Sequence, residues 1–270
     1  MNFSRIVTHP NIKIALLGAV ARRLGWPKYE TRVDCYLEDR PHYAYGTLNA
    51  ARLAKQLGLD SISVIEFGVA GGNGLLNLQY HAKKASAATG VKIEVYGFDT
   101  GEGLPEPQGF RDLPHHWQRG FFAMNQEALK PKLQIAKLVL GNIKDVRKEF
   151  AETYKPAPIG FIAHDMDFYS STKECLEIFS IDASMRLPRI INYFDDTIGG
   201  ETEMYSKSVG QLAAIEEYNA SHESQKIAEC RNFLKDAPLP WHYAMYIHHD
   251  FEHPLYNQFI GEARQQLPLK

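Results

Sequence analysis

Ser61-Ile-Ser-Val-Ile-Glu66-Phe-Gly68-Val-Ala-Gly71-Gly72-Asn-Gly74-Leu75-Leu76 is the stretch on which the fold turns. Its first six residues read as a short, apolar, β-branched strand. Its end reads as the entry to a helix over Leu75–Lys84. Between them four glycines in seven positions allow a tight turn and a close backbone approach to a ligand. The N–H groups and positive dipole end of the following helix suit an anionic group. A glycine-rich turn without a ligand is the bland alternative.

The same alternation continues outward. Strands are expected at Val91–Phe98, Leu133–Leu140, Pro158–Ala163 and Arg189–Phe194. Helices are expected at Ile143–Ala151, Thr172–Phe179 and Ser206–Tyr218, and Lys226–Arg231 with His242–His248 read as a final antiparallel pair. Strands alternating with helices predict a doubly wound, Rossmann-like α/β fold of seven strands, mostly parallel with the last antiparallel. Ahead of it, residues 1–41 read as an N-terminal extension with a helix near 11–23 and a turn at Trp26-Pro27. A longer helix over about 42–57 then opens the main domain, 42–270. In such a sheet the ligand sits at the carboxyl ends of the strands, where strand order reverses.

Composition narrows the function. The chain has 270 residues, 44% hydrophobic and 23% charged, with 30 Lys+Arg against 32 Asp+Glu. That is globular and without the basic excess a nucleic-acid binder needs. Cys35, Cys175 and Cys230 are odd in number and far apart, as free thiols of a reducing compartment would be. Ile14–Ala21 is apolar and follows Arg5 and Lys13, as in a signal peptide. However, it is short, and Arg22-Arg23 suit the last turn of an ordinary helix. No run is long enough to span a membrane. The expectation is a soluble, cytoplasmic protein with no membrane partner.

The glycines match neither the dinucleotide fingerprint nor the P-loop. Two acids frame them instead. Asp99 ends the second strand, where a carboxylate can take both ribose hydroxyls. Glu66 could accept from an ammonium group or orient the loop. Taken with Tyr96-Gly-Phe-Asp-Thr-Gly-Glu-Gly-Leu-Pro-Glu-Pro107, His164-Asp-Met-Asp-Phe-Tyr-Ser-Ser-Thr172 and Phe194-Asp-Asp196, the chain resembles the class I S-adenosylmethionine-dependent methyltransferases. The four motifs in order, over roughly residues 42–255, are similar to the macrocin O-methyltransferase group, which methylates sugar hydroxyls of natural products. The resemblance implies that Gly68 and Gly72 hold the methionine part of the cofactor and Asp99 its ribose. It also puts Gly141-Asn142-Ile143 where the adenine is usually held, although Asn142 is equally a helix N-cap.

The fourth strand ends in His164-Asp165-Met166-Asp167 and the fifth in Asp195-Asp196. Carboxylates at adjacent strand tips, about 4.8 Å apart, repel one another unless a cation sits between them. All-oxygen ligation favours Mg²⁺, with Ca²⁺ or Mn²⁺ as alternatives. The bland reading makes Asp195-Asp196 turn residues and Asp167 a helix-entry acid. The resemblance assigns the cation to Asp165, Asp195 and Asp196, with Asp167 structural. Ser171-Thr-Lys-Glu174 matches a capping box and reads as scaffold. A long irregular segment, 101–123, carries Phe110, Trp117, Phe121 and Phe122 and reads as a lid over the acceptor. Asp165 or a lid histidine, His115 or His116, is the candidate general base. The histidines around His248-His249 do not make a zinc site, because strand neighbours face opposite ways.

The expected function is Mg²⁺-assisted methyl transfer from S-adenosylmethionine to a hydroxyl of a small molecule, a sugar or diol. The alternatives are a divalent-metal phosphoesterase, disfavoured by the lack of a Lys or Arg at the loop, and a non-catalytic nucleotide-binding protein. Trp26, Tyr43 and Tyr45 are expected to expose aromatic surface that a homodimer would cover.

Overall fold

The structure is a computed structural model that describes residues 10–233 and 239–261. The first nine residues of the extension, Arg5 among them, lie outside the described residues. Helices α1 (Pro10–Leu24), α2 (Tyr29–Asp34) and α3 (Pro41–Gln56) precede the sheet. Then follow β1 (Ser61–Phe67), α4 (Asn73–Thr89), β2 (Lys92–Asp99), β3 (Ala136–Leu140), α5 (Ile143–Tyr154) and β4 (Ile159–His164). The chain continues with α6 (Tyr169–Leu176), β5 (Arg186–Phe194), α7 (Gly210–Ser221), β6 (Gln225–Glu229) and β7 (Met245–Asp250).

The seven strands form one sheet in the order β3-β2-β1-β4-β5-β7-β6. β7 runs antiparallel to both its neighbours, and the pairs from β3 to β5 are parallel. This is the expected α/β architecture. β1 and β4 are central and covered on both faces, so their apolar residues run on without alternation. Phe67, Phe161, Ile62 and Ile65 are fully buried there. Helix α3 lies so close to β4 that a Cβ at Gly46 would stand 2.2 Å from the Phe161 ring. Tyr29 and Val33 of α2 reach the same core.

Several element boundaries differ from the sequence reading, among them the helix expected at Ser206–Tyr218, which runs Gly210–Ser221, and three have a clear physical reason. β3 starts at Ala136, because Lys130–Lys132 form a 3₁₀ turn around Pro131. β5 starts three residues early, at Arg186, and carries Pro188 through a register irregularity against Ile159 and Phe161, which relieves the missing N–H. In the closing pair, Pro240–Ala244 is a 3₁₀ turn and β7 begins only at Met245.

The expectation of exposed aromatics is corrected. Trp26 is exposed, but Tyr43 is fully buried and its hydroxyl bonds Glu66. Tyr45 packs against Phe233 and Trp241. Helix α1 does leave Leu16, Leu17, Val20 and Leu24 exposed. No helix among the described residues is long and apolar enough to cross a membrane. The three cysteines are free.

Candidate active site

β1 lies between β2 and β4, so the strand order reverses beside it and a crevice opens at the carboxyl ends of β1 and β4. Gly68 enters that crevice with φ +82°, and its N–H donates to the Phe98 carbonyl at 2.9 Å. A Cβ there would meet the Asp165 carbonyl oxygen at 1.7 Å. Only glycine lets the loop after β1 lie against the loop after β4. Ala70 and Gly72 also take positive φ, so the loop coils tightly into α4. Helix α4 has no side-chain cap and no acid in its first turn, which leaves its leading N–H groups to a ligand.

Asp99 organises this loop. Its Oδ2 accepts from the Val69 and Ala70 N–H groups at 2.8 and 2.9 Å, and its Oδ1 accepts from the Gly101 N–H at 2.6 Å. Glu66 sits beneath the loop, fully buried. Its Oε1 accepts from the Tyr43 hydroxyl at 2.6 Å and would collide at 1.8 Å with a Cβ at Gly74. Burial pushes the Glu66 carboxyl up to about 8, and its Oε2 has no partner.

Across the crevice, carboxylate oxygens of Asp165, Asp195 and Asp196 all lie within 4.8 Å of one another. Among the described residues no other group of three His, Cys, Asp or Glu converges in this way. His248 instead stacks on Phe179, and His249 bonds Tyr256. The acids are held from behind. Asp165 donates its N–H to the Phe67 carbonyl at 2.9 Å. Asp196 accepts the Asp167 N–H at 2.8 Å on Oδ2 and the Tyr205 hydroxyl at 3.3 Å on Oδ1, and the Tyr193 hydroxyl donates to Asp195. The Gln211 side chain accepts the Asp196 N–H at 3.0 Å and donates to the His164 carbonyl at 3.2 Å, joining the tips of β4 and β5. Burial, then mutual repulsion, holds the Asp165 and Asp196 carboxyls far above the usual range and Asp167 up to about 8.

One cavity of about 390 Å³ joins both halves, the size of a small-ligand pocket. Gly68 and Asp99 line it from one side and the three convergent aspartates from the other, with Asn142 and Ile143 at one end. Asn142 also caps α5, its side-chain oxygen accepting the Lys144 N–H at 3.0 Å. Trp117 and Phe122 of the 101–123 segment are also among the cavity's lining residues. Glu66 and Gly72 lie behind the loop rather than in the lining. His115 and His116 also stay outside the lining. His115 Nε2 lies 3.2 Å from the Thr202 carbonyl, and His116 Nε2 lies 3.7 Å from Glu203 Oε1.

The structure adds residues that the sequence reading missed. Glu203 and Tyr205 reach the cavity from residues 197–209, whose one advance signal is Gly199-Gly200 just past an acidic strand end. Ser171, read as a cap, lines the cavity inside α6, and Glu174 pairs with Arg147 at 3.1 Å. The expected capping box is therefore absent. The N-cap is Phe168, and the acceptor for the first turn comes from far away. Buried Asp112 takes the Ser170 N–H at 2.8 Å and its hydroxyl at 2.7 Å, together with the Gln108 N–H at 2.8 Å. One side chain thus caps α6 and anchors the 101–123 segment.

No family model matches the chain, and no curated protein does. Among solved structures its fold is similar to that of the O-methyltransferase NovP, with a TM-score of 0.50 and 14% identity over 77% of this chain and 78% of that one. It is also similar to CalS11, a calicheamicin methyltransferase, with a TM-score of 0.50 and 19% identity over 89% and 93%. The likeness is one of fold.

Proposed function

We propose that the chain is an S-adenosylmethionine-dependent O-methyltransferase assisted by a divalent cation, acting on a hydroxyl of a small molecule such as a sugar or diol. The observation that carries this reading is the joining, in one cavity, of an uncapped glycine loop with its β2 acid and a convergent triad of aspartates. A nucleotide site alone has no use for the triad. A phosphoesterase would need a Lys, Arg or His facing the phosphate, and none lines this cavity. NovP and CalS11, which share the fold, are named as methyltransferases.

A hard divalent ion fits the triad. Three carboxylates within 4.8 Å offer only oxygen, and their desolvated charges need compensation. Asp165, Asp195 and Asp196 would hold it. When bound, the cation supplies positive charge that acidifies and fixes an acceptor hydroxyl, and the sulfonium cofactor supplies an electrophilic methyl.

The chain's own residues do the rest. Gly68 and the first N–H groups of α4 take the carboxylate end of the cofactor, with Gly72 setting the loop's curvature. Asp99 Oδ2 is filled by two N–H groups, so Oδ1, which takes one, keeps the free lone pair for a ribose hydroxyl. Ile143 offers an apolar wall and Asn142 its remaining amide donors to the adenine. Glu66, beneath the loop, holds it in shape. Trp117 and Phe122 exclude water and position the acceptor. Asp165 lines the cavity within the convergent triad, where a carboxylate oxygen can take a proton from the acceptor. His115 and His116 lie too far out to do so without movement of their segment.

Equilibrium titration with S-adenosylmethionine and with AMP, each with and without Mg²⁺, tests the reading. S-adenosylmethionine should bind in either case and AMP weakly. Tight AMP binding without S-adenosylmethionine binding would reject it.

A further inference from the structure

Among the described residues, six acidic ones line the cavity, Asp99, Asp165, Asp167, Asp195, Asp196 and Glu203, and no Lys, Arg or His does. Four have a task, since Asp99 receives three backbone N–H groups and three aspartates converge. Asp167 is buried and lends its backbone N–H to Asp196. Glu203 is left over. It stands on the excursion after β5, near Tyr205, and lines the cavity together with Trp117. Its side chain is 19% exposed. Its contacts are weak, with His116 Nε2 3.7 Å from Oε1 and the Thr202 hydroxyl 3.4 Å from Oε2. Arg40 does not line the cavity.

Set against a divalent cation and the net single positive charge of S-adenosylmethionine, the formal charge of the lining still falls on the negative side. Any acceptor enters a recess that is still negative and poorly solvated, where like charges repel strongly. On the methyltransferase reading above, we infer that the acceptor is a neutral or positively charged polyol, such as an unphosphorylated sugar or an amino sugar. We infer further that Glu203 sets this preference by accepting a hydroxyl or ammonium group. A phosphate or carboxylate close to the reacting hydroxyl is excluded.

Three catechols share one diol geometry and differ in charge: dopamine, catechol and 3,4-dihydroxybenzoate. Their binding to the full chain, loaded with S-adenosylhomocysteine and Mg²⁺, is measured by calorimetry. Dopamine and catechol should bind at least about 30-fold more tightly than 3,4-dihydroxybenzoate. Glu203→Gln should shrink the dopamine-to-benzoate ratio at least about tenfold, and Glu203→Lys should reverse the order. Equal or tighter binding of 3,4-dihydroxybenzoate overturns the inference, as does an unchanged ratio in Glu203→Gln or no binding of any of the three. Cofactor titration in the same samples separates the two levels. Failure of the cofactor to bind sinks the methyltransferase reading itself, whereas a bound cofactor with the wrong charge order sinks only the acceptor assignment.

Discussion

Gly68→Ala tests whether the cofactor loop and the acidic triad are one construction. The new Cβ would stand 1.7 Å from the Asp165 carbonyl oxygen and 2.7 Å from its carbon, where real contacts stay beyond 3.0 Å. One of the two loops must therefore move by at least about 1.3 Å. Neither is free to do so, because the Gly68 N–H is held by the Phe98 carbonyl and the Asp165 N–H by the Phe67 carbonyl, both at 2.9 Å. The residue would also keep φ +82°, which costs a non-glycine residue about 1–2 kcal/mol. Together, the strain and the disrupted contacts should lower stability by about 3–5 kcal/mol. Metal sites tolerate ligand errors of about 0.2 Å, so the displacement should weaken S-adenosylmethionine and Mn²⁺ binding in parallel. Urea unfolding gives the stability, and calorimetry gives both affinities. Gly71→Ala is the control, since no atom lies within 4 Å of its Cβ and its φ is ordinary; it should unfold like the parent. A Gly68→Ala protein with parental stability and both affinities intact would refute the coupling.

Asp99→Ala should weaken S-adenosylmethionine by about 1.5–3 kcal/mol in calorimetry, the size of a charged hydrogen bond; parental affinity in a folded variant would remove Asp99 from the site. Chelation by EDTA should abolish methyl transfer while sparing cofactor binding. Asp196→Asn should be partly rescued by excess Mg²⁺ and Asp165→Asn should not, because an amide cannot take a proton; full turnover in EDTA would make these aspartates scaffold. Asp112→Ala removes the acceptor of three bonds and should lower the unfolding free energy by about 2–4 kcal/mol, with a raised KM from the loosened 101–123 segment. Glu66 and Asp167 keep protons to about pH 8 when folded but lose them near pH 4 when unfolded. The folded state therefore binds more protons, and stability in EDTA should fall as pH rises from 6.5 to 8, by about 1–3 kcal/mol. Mg²⁺ should flatten this slope, and a urea midpoint that rises with pH in EDTA would contradict the assignment.

The sheet was legible because its inner strands are buried on both faces. Ile159–Ala163 can be read as a continuous apolar run, and Ile62–Phe67 as an apolar strand broken only by Ser63 and Glu66. The strand-end acids were legible for the same reason, since each ends such a run. Pro188 hid the start of β5, because a proline argues against an inner strand unless the register slips beside it. The cap of α6 was misread because its acceptor, Asp112, lies 58 residues from Ser170 in sequence, and a local pattern offered a substitute. Tyr43 was taken as surface because one tyrosine looks like another in sequence. Its burial follows from the Glu66 carboxylate beneath the glycine loop, 23 residues on.

The Gln211 amide, stapling the ends of β4 and β5, divides the cavity's walls by their freedom to change. On the proposed function, the glycine loop and the aspartates that would meet the cofactor and the cation stand at strand tips locked to one another and to the core. The lining residues that would meet the acceptor, Trp117, Phe122 and Glu203, ride on two excursions joined by the His115 and His116 contacts. A new acceptor can thus be accommodated by rewriting 101–123 and 197–209 as a pair, since the two touch and must change together. The chemistry would be inherited unaltered. Grafting either excursion by itself would leave those histidines facing strangers.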